Sequence, residues 1–167
     1  MLFRSKLYSE GFVVSDRITA YCVSALTMGN AEMVPMYMSG NVSKYFMQTK
    51  HWKYLAPLSK CKINQTKDKI TLPKTFIEKV TDQYLSPLLV DDLSSTPPTF
   101  LGIAEYDILE SECSLMSQRL KEAGVNIITK HYKTYHGFMC HLNLHLANNT
   151  FGETVINDTA VFLNSIW

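Results

Sequence analysis

The spacing of apolar residues divides the chain into a loosely patterned first half and a second half with clear strand and helix periods. Residues 1 to 15 show no clean period. Ser15 or Asp16 then offers a side-chain oxygen to free backbone N–H groups, the mark of a helix start. Ile18, Tyr21, Cys22, Ala25 and Leu26 follow at i, i+3, i+4, i+7 and i+8, which predicts a helix with that stripe buried. Gly29-Asn30 are its stop residues. From Ala31 to Thr71 the pattern loosens, and Met33, Met36, Met38, Phe46, Met47, Trp52, Tyr54 and Leu55 are interrupted by Pro35, Gly40 and Pro57. Thioethers and rings adapt to irregular shapes, so the stretch suits a lid over an apolar substrate or irregular core packing, and the pattern alone favours packing. Lys60 to Lys69 is polar and reads as a surface loop.

Further on the periods sharpen. Pro73 opens a short helix with Phe76, Ile77 and Val80 inward, ending near Tyr84. Pro97-Pro98 cannot donate ladder bonds and marks the entrance of a strand from Thr99 to Tyr106. Its Phe100, Leu101, Ile103 and Ala104 form the near-continuous apolar run of a buried parallel strand. The next helix takes Leu109, Cys113, Met116, Leu120 and Ala123 as its buried stripe, leaving Glu110, Glu112, Gln118, Arg119, Lys121 and Glu122 to water. Gly124 ends it. Val125, Ile127 and Ile128 begin a second strand that runs through Tyr132 toward the loop holding His136. Strand, helix and parallel strand make the crossover unit of α/β folds, so the fold class is α/β. A closing helix from about Gly152 to Ile166 places Val155, Thr159, Phe162, Leu163 and Ile166 toward the sheet. Without a repeat or a linker, the chain reads as one compact unit.

Composition changes this picture mainly by exclusion. Apolar residues make up 46% and charged residues 19%, ordinary for a globular protein. Sixteen basic residues against 15 acidic, with no Lys/Arg run interleaved with aromatics, give no footprint for nucleic acid as a partner. No window reaches the roughly 18 apolar residues of a membrane span, and no signal peptide opens the chain. Cys22, Cys61, Cys113 and Cys140 are far apart and off metal-ligand spacing; they read as buried free thiols, with a disulfide left open. Asn41, Asn64, Asn148 and Asn157 each begin a glycosylation acceptor pattern, a mild excess that fits a lumenal history and a cytosolic one equally.

Asp107 and His136 are the candidate chemistry. If the two strands are parallel, Asp107 follows the first and His136 lies in the loop leaving the second, so both fall on the carboxyl edge where open sheets hold their sites. A carboxylate orienting an imidazole is two thirds of a nucleophile, base and orienter triad. Each residue has a plainer role as well. Asp107 stands three residues before Glu110, as a helix N-cap would, and a lone loop histidine is usually a surface residue. Capping and orienting are compatible, since a carboxylate has two oxygens. His141 and His145 are four apart, but neither the glutamate of a zinc-protease pattern nor a third ligand accompanies them, so no metal site is expected. A Gly-x-Ser-x-Gly nucleophile turn and a His-Gly-Gly oxyanion loop are missing: no two of the seven glycines are four apart, and His136-Gly137 is the one His-Gly step. In enzymes with the order Ser, Asp, His, those parts belong upstream of residue 1.

Tyr84-Leu85-Ser86-Pro87-Leu88-Leu89 with Asp91-Asp92-Leu93, Pro97-Pro98-Thr99, Ala104-Glu105-Tyr106-Asp107-Ile108-Leu109, Arg119-Leu120-Lys121-Glu122-Ala123-Gly124-Val125 and Tyr135-His136-Gly137-Phe138 occur in this order. Together they resemble the carboxyl-terminal half of arylacetamide deacetylase-like carboxylesterases, in the hormone-sensitive-lipase group of the α/β-hydrolases. Over residues 16 to 58, Trp52-Lys53-Tyr54-Leu55 and the methionines look like part of that family's cap. The resemblance implies a partial α/β-hydrolase fold, with cap-like and connecting helices over residues 1–83 and the carboxyl-terminal part of the core over 84–167. It makes Asp107 the triad acid and His136 the base, while the family's serine and oxyanion glycines have no counterpart. It also implies hydrolysis of small apolar or lipid-like esters and amides without a cofactor. Family members are typically held at the endoplasmic reticulum membrane, lumenal side, by an amino-terminal helix that this sequence does not show. Two expectations follow: an incomplete serine carboxylesterase, inactive alone, or a non-catalytic product that binds apolar ligands or a partner chain.

Overall fold

The computed structural model describes residues 15–58, 71–141 and 150–167. The surface loop expected at Lys60 to Lys69, with Cys61 and Asn64, and also His145 and Asn148, lie outside the described residues. In chain order the elements are α1 (Asp16–Met28), α2 (Val34–Met38), α3 (Asn41–Phe46), α4 (Trp52–Leu55), α5 (Lys74–Val80), β1 (Thr99–Ala104), α6 (Glu110–Glu122), β2 (Ile127–Tyr132) and α7 (Thr150–Ile166).

β1 and β2 pair in parallel, with Thr99 opposite Ile127 and Ala104 opposite Tyr132, and α6 is the crossover between them. β1 stops at Ala104, two residues short of the expected end. Main-chain bonding nonetheless continues, from Glu105 N–H to the Tyr132 carbonyl at 2.8 Å and from Tyr106 N–H to the Thr134 carbonyl at 3.0 Å. Only Ile103 and Ala104 of β1 are buried, because α7 covers the strand in part: the Phe162 ring lies 5.8 Å from that of Phe100. On α7 the inward residues are Val155 and Phe162, whereas Leu163 and Ile166 are exposed, contrary to the single expected stripe. Asp158 ties this helix to β2, pairing with Lys130 at 2.6 Å and accepting the Tyr132 hydroxyl at 2.7 Å.

α6 carries Glu110 and Glu112 in its first turn and Arg119 and Lys121 in its last, matching the helix dipole at both ends. Its buried residues are Leu115, Ser117 and Leu120; Leu109, Cys113, Met116 and Ala123 are half-buried, and so are Arg119 and Glu112, which were expected in water. The helix packs on two sides, against the strands and against the turns of the first half, so its covered arc is wider than one stripe. Ser117 meets Thr129 of β2 through hydroxyls 2.5 Å apart. Leu115 faces the other way and joins Met33, Val42, Phe46, Leu55, Leu72, Phe76, Val80 and Leu89 in one apolar cluster. Met33, Phe46 and Leu55 of the Met-rich stretch therefore serve as packing.

α1 buries the face opposite to the expected one. Ile18, Tyr21 and Leu26 are 52, 57 and 70% exposed, and Cys22 is exposed too, while Thr19, Ala20, Ser24 and Thr27 are buried. Hydroxyls on that side find main-chain partners: Ser24 Oγ donates to the Asn30 carbonyl at 2.8 Å and accepts Met33 N–H at 3.0 Å, and Thr27 Oγ1 donates to the Val23 carbonyl at 2.8 Å. Satisfied in this way, small polar side chains bury at little cost. Cys22 and Cys113 are free thiols. Among the described residues no helix is long and apolar enough to cross a membrane, and no group of three or more metal-ligating side chains gathers.

Candidate active site

Parallel pairing puts the ends of β1 and β2 at one edge of the sheet, and each chain departs there toward its candidate residue. After β1, Asp107 is not the helix N-cap that its spacing predicts. α6 begins at Glu110, and Leu109 occupies the cap position without a side-chain bond. Asp107 instead makes an Asx turn just before the helix, its Oδ1 accepting Leu109 N–H at 2.9 Å and its carbonyl accepting Glu110 N–H at 3.2 Å. The other carboxylate oxygen is thereby left for a second partner.

That partner is His136. Its Nδ1 lies 2.8 Å from Asp107 Oδ2, with side-chain exposures of 39% for the histidine and 12% for the aspartate. An ionised carboxylate only accepts, so Nδ1 carries the proton in this contact and Nε2 presents a lone pair. Among the described residues Nε2 makes no hydrogen bond. The loop that carries the ring is fixed by the Thr134 main chain on one side. On the other, Gly137 turns at φ 73°, a left-handed conformation that a side chain would strain, and Phe138 packs 5.9 Å from the Tyr132 ring. Thr134, buried and bonded through its carbonyl, was not read from the sequence; nothing in its surroundings there marks it.

Cys113 sits in the first turn of α6, half-buried. Burial first, and then the Asp107 charge, pushes its thiol up from the ordinary value, the wrong direction for a thiolate nucleophile. Two surface clefts, of about 540 and 390 Å³, open elsewhere: one between Tyr54, Asp91 and Arg119, the other over Ser117, Thr129 and His131. Neither of these two is lined by Asp107 or His136.

A family model described as alpha/beta hydrolase fold matches residues 27–140, a span that includes both strands, α6 and the Asp107–His136 pair. The chain belongs to this family. Curated relatives include neutral cholesterol ester hydrolase 1 of Rattus norvegicus and of Mus musculus, each 32% identical over 66 residues. That stretch is 38% of this chain and 16% of either relative's length. The likeness to arylacetamide deacetylase-like carboxylesterases therefore holds, as does the partial α/β-hydrolase fold: two parallel strands, a crossover helix and flanking helices.

Proposed function

We propose that Asp107 and His136 are the acid and base of a serine carboxylesterase site acting on carboxylic esters, or amides, of apolar or lipid-like compounds. The observation behind this reading is the 2.8 Å contact of Nδ1 with Oδ2, with Nε2 unbonded among the described residues. A carboxylate so placed holds the imidazole in the tautomer whose Nε2 can take the proton of a serine hydroxyl as its oxygen attacks the ester carbonyl. The imidazolium then returns that proton to the leaving alkoxide, while Asp107 stays ionised and balances the ring's charge. None of these steps calls for a cofactor. The 167 residues carry neither a Gly-x-Ser-x-Gly turn nor a His-Gly-Gly loop, so the proposal assigns them the acid and base alone. An apolar ester as substrate agrees with the name of the relatives, neutral cholesterol ester hydrolase 1. In the same proposal residues 1–83 are the cap-like and connecting helical region and 84–167 the carboxyl-terminal part of the core, and the family's lumenal location is compatible with the four acceptor patterns.

Fluorophosphonate labelling and hydrolysis of a short aryl ester test it together. The 167-residue chain alone is expected to give neither. A longer in-frame form that contains Gly-x-Ser-x-Gly is expected to give both, and Asp107→Asn in that form to lower kcat by about 10⁴-fold. Labelling of the bare chain, or a longer form indifferent to His136→Ala, would overturn the assignment. The second reading, a non-catalytic binder of apolar ligands or of a partner chain, draws on the exposed Ile18, Tyr21 and Leu26 face. It requires that the longer form stay unlabelled.

A further inference from the structure

We propose that Tyr106 and Tyr135 form an aromatic clasp that positions His136 against Asp107. The inference rests on the reading of that pair as acid and base, and it adds two positioning residues that take no part in the chemistry.

Each tyrosine immediately precedes one member of the pair. Their rings lie 5.7 Å apart between centroids at an interplanar angle of 46°, within the range at which aromatic side chains attract. The contact joins the segment leaving β1 to the segment leaving β2. It lies beside the main-chain bond from Tyr106 N–H to the Thr134 carbonyl. Both rings are well exposed, Tyr106 at 39% and Tyr135 at 49%, so core burial does not explain where they sit.

The need for a clasp comes from an asymmetry within the pair. Asp107 is held twice over: Oδ1 is pinned by Leu109 N–H, and the side chain is largely covered. His136 is more open, and among the described residues the Asp107 contact is the one hydrogen bond on its ring. The main-chain tie between the segments is made at Thr134, two residues before the imidazole. A ring contact one residue upstream of each partner restrains the imidazole and leaves Nε2 clear.

The test uses the full 167-residue chain with ring-labelled histidine. Proton-detected NMR follows the His136 Nδ1 proton and its exchange with water, with the β1–β2 ladder amides as the control for folding. Tyr135→Ala and Tyr106→Ala are each expected to speed Nδ1 proton exchange by roughly tenfold, the upper end of an aromatic pair's contribution. The double variant should be no faster than the faster of the two singles, because the shared ring contact is lost only once. Tyr135→Phe, which keeps the ring, should restore the native rate. Exchange unchanged within about twofold in the alanine variants, or additive effects in the double variant, overturns the clasp. If an alanine variant loses its ladder amides, the double Phe variant decides: it keeps both rings and must keep the slow Nδ1 proton, and a fast one overturns the proposal. The readout requires no ester turnover, so a longer serine-bearing form that failed to hydrolyse would sink the hydrolase reading and leave this result standing.

Discussion

Asp107 shows how one side chain can serve two requirements. Its Oδ1 closes the turn ahead of α6 through Leu109 N–H, and its Oδ2 faces His136. Substitution can separate the two. Asparagine keeps a carbonyl oxygen that accepts the Leu109 N–H, as Asn does in turns and caps generally, but loses the negative charge. Alanine loses both. Asp107→Ala should therefore cost about 1 kcal/mol of unfolding free energy and Asp107→Asn clearly less. Urea denaturation of the three proteins checks this, and equal losses would mean that the turn bond contributes nothing.

Between elements, Arg119 is the residue whose role the sequence most misrepresented. Its position on α6 reads as a water-facing charge. In the structure its guanidinium donates to the carbonyls of Leu88 and Val90 at 2.5 Å each and lies 4.0 Å from the Tyr54 ring centre. Tyr54 in turn hydrogen-bonds Asp91, which depresses that carboxylate, with Lys53 adding to the effect. α6, α4 and the turn at Pro87–Leu89 are thus joined through one planar, five-donor group. An ammonium cannot reproduce the fork or the stacking, so Arg119→Lys should recover less than half of what Arg119→Ala loses, about 2 kcal/mol. Thermal melts of both variants decide it. The contrast marks the limit of periodicity as a guide. The strand–helix–strand unit was legible because Pro97-Pro98 and Gly124 punctuate it, and Gly124 does turn at φ 78°. Asp107 and His136 could be placed on one edge from that topology alone. The face of α1 could not, since its buried side is built from Ser24 and Thr27, whose hydroxyls bond main-chain carbonyls that no apolar pattern reveals. Nor could the Asx turn at Asp107, which differs from an N-cap only in where the helix starts.

For the molecule as a whole, the apolar cluster runs from the first-half helices to Leu89 and to Leu115 of α6, with Phe76 fully buried. Phe76→Ala should cost about 3–5 kcal/mol, and amide exchange in the β1–β2 ladder should quicken along with that in α5 if the halves unfold together. Charge acts on the same scale. With a formal net charge of +1, overall repulsion is small near neutrality, and the pH dependence of stability follows individual groups. Burial, reinforced by Lys50, lowers the His51 imidazole below its ordinary value. The unfolded chain therefore binds that proton first, and stability begins to fall as pH drops below about 6.5. Asp91, Asp92 and Asp158 are lowered as well, by the Tyr54 hydroxyl, by the Ser94 main chain and by Lys130 respectively. A depressed carboxylate contributes its full stabilisation above the unfolded value of 3.8 and loses it as pH falls through that value toward the folded one. Melting temperature should therefore decline gently between neutrality and pH 5 and steeply below pH 4. Asp158→Asn isolates the tie between β2 and α7: it should lower the melting temperature at pH 6, and its deficit should shrink as the pH falls below 3.8, where the unfolded chain takes up the proton that the native carboxylate resists. A deficit that stayed constant across that range would mean that Asp158 stabilises α7 through packing and the Tyr132 hydroxyl, without help from its charge.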